Sequence, residues 1–255
     1  MPSLTLYHHP LSVCSMKVRL ALVEKGLDWS GRVIDIVRDQ EQLDPWYIKL
    51  NPKGVIPTLE SHDDSTEVVT DSARIIRFIA PLPEGNSLLP ASKEQLQRME
   101  ELIDRADGID LQILSYARHP SMAKSEKILD ARINKSRLLA EQHPELKDSY
   151  QASAERSEKS KSFRVDEHHI KDIERKAVES LSFAEKQLND NTFLLGDTYS
   201  LADVIWTVVL SRLDLLGYTD WVHGDTFPRL TRFYQDVRSR RSFSLAQIQN
   251  EWWEK

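Results

Sequence analysis

A chain of 255 residues, 29% of them charged and 40% hydrophobic, has the balance of a folded globular protein with room for two domains. The net charge of −6 argues against a nucleic-acid binder, which needs a basic stripe, and against a polybasic membrane anchor. A single cysteine rules out an intramolecular disulfide and fits a reducing compartment, with the thiol either buried or reactive. Met1-Pro2-Ser3 runs straight into a strand-like segment, so no signal peptide is expected. The most apolar stretch, 201–210, is interrupted by Asp203 and too short to span a bilayer. The expectation is a cytoplasmic protein without a membrane partner, its terminal Trp252-Trp253 pair packed on its own domain.

Leu4-Thr5-Leu6-Tyr7 reads as a first strand, and a loop with His8, His9, Pro10 and Leu11 leads from it into a helix. In that helix Val18, Ala21, Leu22 and Lys25 follow at i, i+3, i+4 and i+7, and Gly26 stands where a helix C-terminal glycine belongs. A second strand is expected over 32–36. Asn51-Pro52-Lys53-Gly54 is turn chemistry, and Val55-Ile56-Pro57-Thr58-Leu59 reads as an edge strand because of its proline. Glu67-Val68-Val69-Thr70 is a further short strand, after which Asp71-Ser72 can cap a helix through Ile75, Ile76 and Ile79. This makes a compact α/β unit over 1–81.

Prolines 81, 83 and 90 with Gly85 mark a linker over 82–92. Beyond it, over 93–255, only helices are expected. Leu96, Met99, Ile103, Ala106 and Ile113 fit one long amphipathic helix, and 127–141 fit another that Pro144 ends. Residues 145–174, rich in Ser, Glu, Lys and Arg, read as a partly exposed helix or mobile connection. Ser200-Leu201-Ala202-Asp203 has the pattern of a capping box, with Asp203 as a structural cap, before a buried helix that ends at Gly217. A last helix contains Phe233 and Val237.

Ser12, Cys14 and Ser15 fall at a helix N-terminus, where unpaired N–H groups and the dipole favour negative charge. A thiolate is stabilised there, whether that of Cys14 or of a bound thiol. Cys14 is otherwise a small packing residue. The His8-His9 and His168-His169 pairs lack the i, i+4 spacing that puts two imidazoles on one helix face, so no metal site is expected. His9 and Leu11 are candidates to line a substrate pocket. Tyr116 and Trp206 read as core residues first and pocket walls second.

Three segments, S-V-C-S-M-K-V-R, L-N-P-K-G-V-I-P-T-L and the D-S opening a helix, together with Y-S-L-A-D-V-I-W-T-V-V-L, resemble the glutathione S-transferase superfamily over nearly the whole chain. Within it, S-x-C-S-M-K-x-R-L-A and R-R-S-F at 240–243 are most similar to the tetrachlorohydroquinone reductive dehalogenase branch. K-V-R-L-A-L-V-E-K-G-L is also similar to ganglioside-induced differentiation-associated proteins, with 117–165 as the equivalent of their helical insertion. The resemblance implies a thioredoxin-like N-terminal domain, an all-α C-terminal domain, a homodimer, and glutathione as co-substrate with a hydrophobic small-molecule electrophile. It implies a cis Ile56–Pro57 bond, with Ile56 offering its main chain to glutathione. Asp71 and Ser72 would receive the γ-glutamyl group, and Lys53 the glycyl carboxylate. Either Cys14 exchanges a mixed disulfide with glutathione, as in reductive dehalogenation, or Ser12 activates the glutathione thiol for conjugation or isomerisation. A third reading is a non-catalytic glutathione-binding interaction protein.

Overall fold

The computed structural model describes residues 3–62 and 66–248; Trp252 and Trp253 lie outside them. In chain order the elements are β1 (Leu4–His8), α1 (Val13–Lys25), β2 (Trp29–Val33), α2 (Pro45–Leu50), β3 (Thr58–Ser61), β4 (Glu67–Thr70), α3 (Ser72–Ile79), α4 (Lys93–Asp107), α5 (Leu111–Ala117), α6 (Met122–Gln142), α7 (Lys147–Phe163), α8 (Glu167–Leu188), α9 (Leu201–Leu215), α10 (Thr219–Val222), α11 (Pro228–Ser239) and α12 (Arg241–Leu245). Among the described residues every strand precedes residue 71, so an α/β segment is followed by a helical one, as the sequence implies. By compactness the chain forms two units that alternate along it. The described residues of Met1–His9, Trp29–Asp71 and Gln112–Lys171 make the first, and those of Pro10–Asp28, Ser72–Leu111 and Asp172–Lys255 the second.

In the first unit a four-stranded sheet runs β2-β1-β3-β4. β1 is parallel to β2, with Leu4 opposite Trp29 and His8 opposite Val33, and antiparallel to β3, which pairs antiparallel with β4. β2 lies three residues before the expected 32–36. The Ile34 N–H still reaches the His8 carbonyl at 2.8 Å, but the Asp35 carboxylate then accepts the N–H groups of Val37 and Arg38 at 2.8 Å each, turning the chain away. The expected strand at 55–59 is realised only from Thr58, since the Val55 carbonyl accepts from Tyr47 Oη at 2.9 Å and Asn51 Nδ2 at 2.8 Å instead of from a neighbouring strand. Residues Pro45–Leu50 form α2 with Pro45 in its first turn, where a missing N–H costs nothing.

The region 145–174, expected as a partly exposed helix or a mobile connection, takes the first form: most of it is α7 and the start of α8. Tyr150, Ser153, Ala154 and Ser157 are buried at i, i+3, i+4 and i+7, and α7 packs along α6 through that stripe. Leu139 and Tyr150 from this pair close over Leu43 and Ile48. Arg132 donates to Gln40 Oε1 at 3.0 Å, and Lys135 pairs with Asp44 at 2.7 Å.

In the second unit α1 packs against α3, α9 and α12, and α4 against α9. The capping box at Ser200 and Asp203 is formed, and α9 is buried from Leu201 to Leu213. The expected single helix through Leu96 and Ile113 is two. Gly108 and Ile109 donate back to Asp104 and Ala106 and close α4 before α5 begins. Arg240 forks onto Glu24 of α1 at 2.8 and 2.7 Å and Ser242 bonds the same carboxylate, which gives the R-R-S-F segment its place; α12 therefore follows the helix expected to be last.

Candidate active site

The N-terminus of α1 is built by Ser12. Its backbone is extended (φ −72°, ψ 119°), its Oγ accepts the Ser15 N–H at 3.2 Å, and its carbonyl accepts the Met16 N–H at 2.8 Å. At the other end Gly26, at φ 78°, lets the chain double back so that Gly26 and Leu27 bond the Leu22 carbonyl. Cys14 is thus the second residue of a well-formed helix, and it is exposed rather than packed. No acidic residue lies in the first turn to oppose negative charge on its sulfur.

The two residues before the Ser12 cap are held by buried arginines. Arg19 Nη2 donates to the Pro10 carbonyl at 3.1 Å, and Arg212 Nη2 of α9 donates to the Leu11 carbonyl at 2.6 Å. Arg19 also reaches the carbonyls of Ala246 at 2.8 Å and Gln247 at 3.0 Å. Both guanidiniums are buried, at 1% and 5% exposure, which is tolerable because carbonyl oxygens replace lost water. Burial lowers each to about 10, so both stay protonated at neutral pH; for Arg212 the charge of Cys14 pulls the other way. The exposed sulfur therefore shares its surroundings with a buried cation.

Other expected residues are distributed over both units. In the second, Ser72 opens α3 and is buried at its first turn, Leu11 is half-buried, and Trp206 is core: fully buried, with its indole N–H on the Leu102 carbonyl at 3.1 Å. In the first, the Ile56–Pro57 bond is cis, and Ile56 is buried in a cluster with Tyr7, Ile34 and Tyr47. Lys53 is exposed in the 51–54 turn, with its N–H on Asn51 Oδ1 at 3.2 Å and its carbonyl bonded by Arg156. Asp71 has φ 78°, a left-handed conformation costing about 1–3 kcal/mol in a residue with a side chain, and unlike the extended backbone of an ordinary N-cap. His9 is half-buried, and a protonated imidazole there would favour the Asp35 carboxylate; Tyr116 is half-buried, its Oη accepting from Arg132 at 3.3 Å.

Sequence reasoning missed Arg19 and Arg212. The available signal was an arginine set among buried apolar neighbours in each helix, Val18 and Leu20 around Arg19 and Leu210 and Leu213 around Arg212. It also missed Tyr7, whose hydroxyl donates to Glu60 at 2.5 Å; burial first, then Glu60, raises it to about 12, so it is a neutral donor committed to that carboxylate. Among the described residues no group of three or more His, Cys, Asp or Glu could hold a metal, and no helix is long and apolar enough to cross a membrane.

The family described as glutathione S-transferase, N-terminal domain, matches residues 11–81, and its C-terminal domain counterpart matches 154–236. Tetrachloro-p-hydroquinone reductive dehalogenase of Sphingobium chlorophenolicum is 33% identical to this chain, covering 99% of it and 98% of that protein. The chain belongs to the glutathione S-transferase family. It is an enzyme of that family, with relatives named glutathione S-transferase and reductive dehalogenase, and glutathione is the family's co-substrate. Two solved structures share this transferase fold. Beta-etherase LigF from Sphingobium sp. strain SYK-6 matches with a TM-score of 0.73 at 22% identity, covering 96% of this chain and 98% of that one. A glutathione S-transferase from Methylobacillus flagellatus with glutathione bound matches at 0.67 and 19%, covering 96% and 98%.

Proposed function

We propose that this transferase is a glutathione-dependent reductase of hydrophobic aromatic or quinone-like electrophiles, and that its reaction is reductive dehalogenation through Cys14. The observation that carries the reading is the exposed Cys14 in the first turn of α1, close to a buried arginine. The relative named as a tetrachloro-p-hydroquinone reductive dehalogenase supports the substrate class. Ser12 caps the helix as an acceptor and keeps its O–H to donate to a thiolate at the same terminus.

The steps balance as follows. The sulfur of glutathione displaces chloride from the ring and forms a carbon–sulfur bond. The Cys14 thiolate attacks that glutathionyl sulfur, the ring carbon leaves with the electron pair, and it takes up a proton. A second glutathione thiolate attacks the Cys14–glutathione disulfide and frees Cys14. The sum replaces one chlorine by hydrogen and oxidises two glutathiones to the disulfide. Ser72, at the start of α3, is assigned the γ-glutamyl carboxylate. Asp71, the Ile56 main chain beside Pro57, and Lys53 are assigned further glutathione contacts on the resemblance alone. His9, Leu11 and Tyr116 are assigned the electrophile on the same basis. A cytoplasmic homodimer belongs to the same reading, and sedimentation at micromolar concentration checks its dimeric part.

Glutathione disulfide should add one glutathionyl group to the chain, seen by intact-mass spectrometry, and a reducing thiol should remove it. Since the chain has one cysteine, the adduct has one cysteine to occupy. Cys14→Ser should lose both the adduct and turnover of a chlorinated hydroquinone with glutathione. Full turnover by Cys14→Ser would sink this reading and leave Ser12 as the activating residue.

A further inference from the structure

We propose that Arg212 is the positioning residue for Cys14 and makes that thiol selective for anionic reaction partners, such as disulfides and electrophiles carrying a carboxylate or phenolate. The inference rests on the reading of Cys14 as the reacting thiol and adds to it a residue on a different helix.

Arg212 interrupts a helix whose other residues from Leu201 to Leu210 are buried and, apart from Asp203 and Thr207, apolar. A guanidinium in such a place is costly unless it has a task. Its Nη2 holds the Leu11 carbonyl at 2.6 Å, while Arg19 of α1 holds the preceding carbonyl, that of Pro10, at 3.1 Å. Two consecutive carbonyls of the segment entering α1 are thereby fixed, and with them the Ser12 cap and the first turn that carries Cys14. α9 packs directly on α1, and a negative charge on Cys14 would favour the Arg212 cation. Cys14 is exposed, Arg212 is buried, and the helix N-terminus adds its own positive end. A partner approaching the sulfur from solvent therefore meets a net positive field. An anion is drawn in by that field and a neutral molecule is not.

The test uses the full chain without glutathione, so that its outcome is separate from that of the dehalogenation reading. Cys14 is alkylated with iodoacetate, which is anionic, and with iodoacetamide, which is neutral. In both the thiolate sulfur bonds carbon and iodide leaves. Thiolate fraction and accessibility affect the two rates alike, so their ratio reports the charge at the sulfur. Arg212→Met should lower the iodoacetate-to-iodoacetamide ratio about fivefold at low ionic strength. Arg212→Lys should keep the ratio within about twofold of the original while slowing both reagents, since lysine retains the charge but lacks the planar fork. Raising salt to about 1 M should move the wild-type ratio towards that of Arg212→Met. An unchanged ratio in Arg212→Met, or an equal fall in Arg212→Lys, would overturn the proposal. Should Arg212→Met fail to fold, a wild-type ratio indifferent to salt overturns it equally.

Discussion

Asp203 has no exposure to solvent, yet it accepts three hydrogen bonds: from the Leu194 N–H, the Ser200 N–H and the Ser200 hydroxyl, each at 2.8 Å. Burial outweighs these donors and raises the carboxyl to about 6. An unfolded aspartate releases its proton near pH 4. Between about pH 4 and pH 6 the folded chain therefore holds a proton that the unfolded one has lost, and Asp203 makes stability fall as pH rises across that window. Asp203→Asn cannot titrate. Its amide would turn an NH2 group towards the Ser200 donors, at a cost of about 1–3 kcal/mol. The loss relative to wild type should be larger at pH 5 than at pH 7, because only the wild type weakens between them. Urea melts of both proteins at the two pH values measure this. Equal losses would mean that Asp203 is ionised throughout, as an ordinary cap would be.

Helix α7 shows what a stretch of sequence hides. Its buried stripe is Tyr150, Ser153, Ala154 and Ser157, and three of those four side chains are too small to register as apolar periodicity. Their value is that α6 can approach; Ser157 further satisfies its hydroxyl on the Ser153 carbonyl at 2.9 Å. Ala154→Leu should cost about 1–3 kcal/mol by overpacking, whereas Glu155→Leu, on the exposed side, should stay within about 0.5 kcal/mol. Thermal melting of the two variants separates a packed stripe from a solvated helix, and equal small effects would reject the packing. Where local chemistry fixes an element, the sequence was legible. The Val18, Ala21 and Leu22 face of α1 with Gly26, the Ser200–Asp203 box, and Cys14 at a helix N-terminus all follow from neighbours in the chain. β2 was misplaced because Ile34 is buried just beyond the strand, so burial and strand periodicity part company there. Arg212 was illegible as part of the site, because the carbonyl it holds is 201 residues away in sequence.

Each compact unit is assembled from three separated stretches of chain, so neither is encoded by a contiguous half. In the first unit Leu43 and Ile48 are covered by Leu139 and Tyr150, while Arg132 and Lys135 bind Gln40 and Asp44. In the second, α1 depends on Arg240 for its Glu24 partner, on Ala246 and Gln247 for the Arg19 acceptors, and on Arg212 to hold Leu11. A fragment of residues 1–92 contains the whole sheet and α1–α3 and ends with the linker read from the sequence. It would nevertheless expose Leu43 and Ile48 at about 1.5–3 kcal/mol each. It would also strip the Ala246 and Gln247 acceptors from Arg19, leaving a charged group that must either find water or break the packing around it, at about 3–5 kcal/mol. Those losses together match the whole stability of a typical domain, about 5–15 kcal/mol. The fragment should therefore keep some secondary structure by circular dichroism but show no cooperative thermal transition and poorly dispersed amide resonances. A sharp melt with dispersed amides in 1–92 would show that the sheet and its three helices hold themselves together, and that the later helices are additions to a domain already complete.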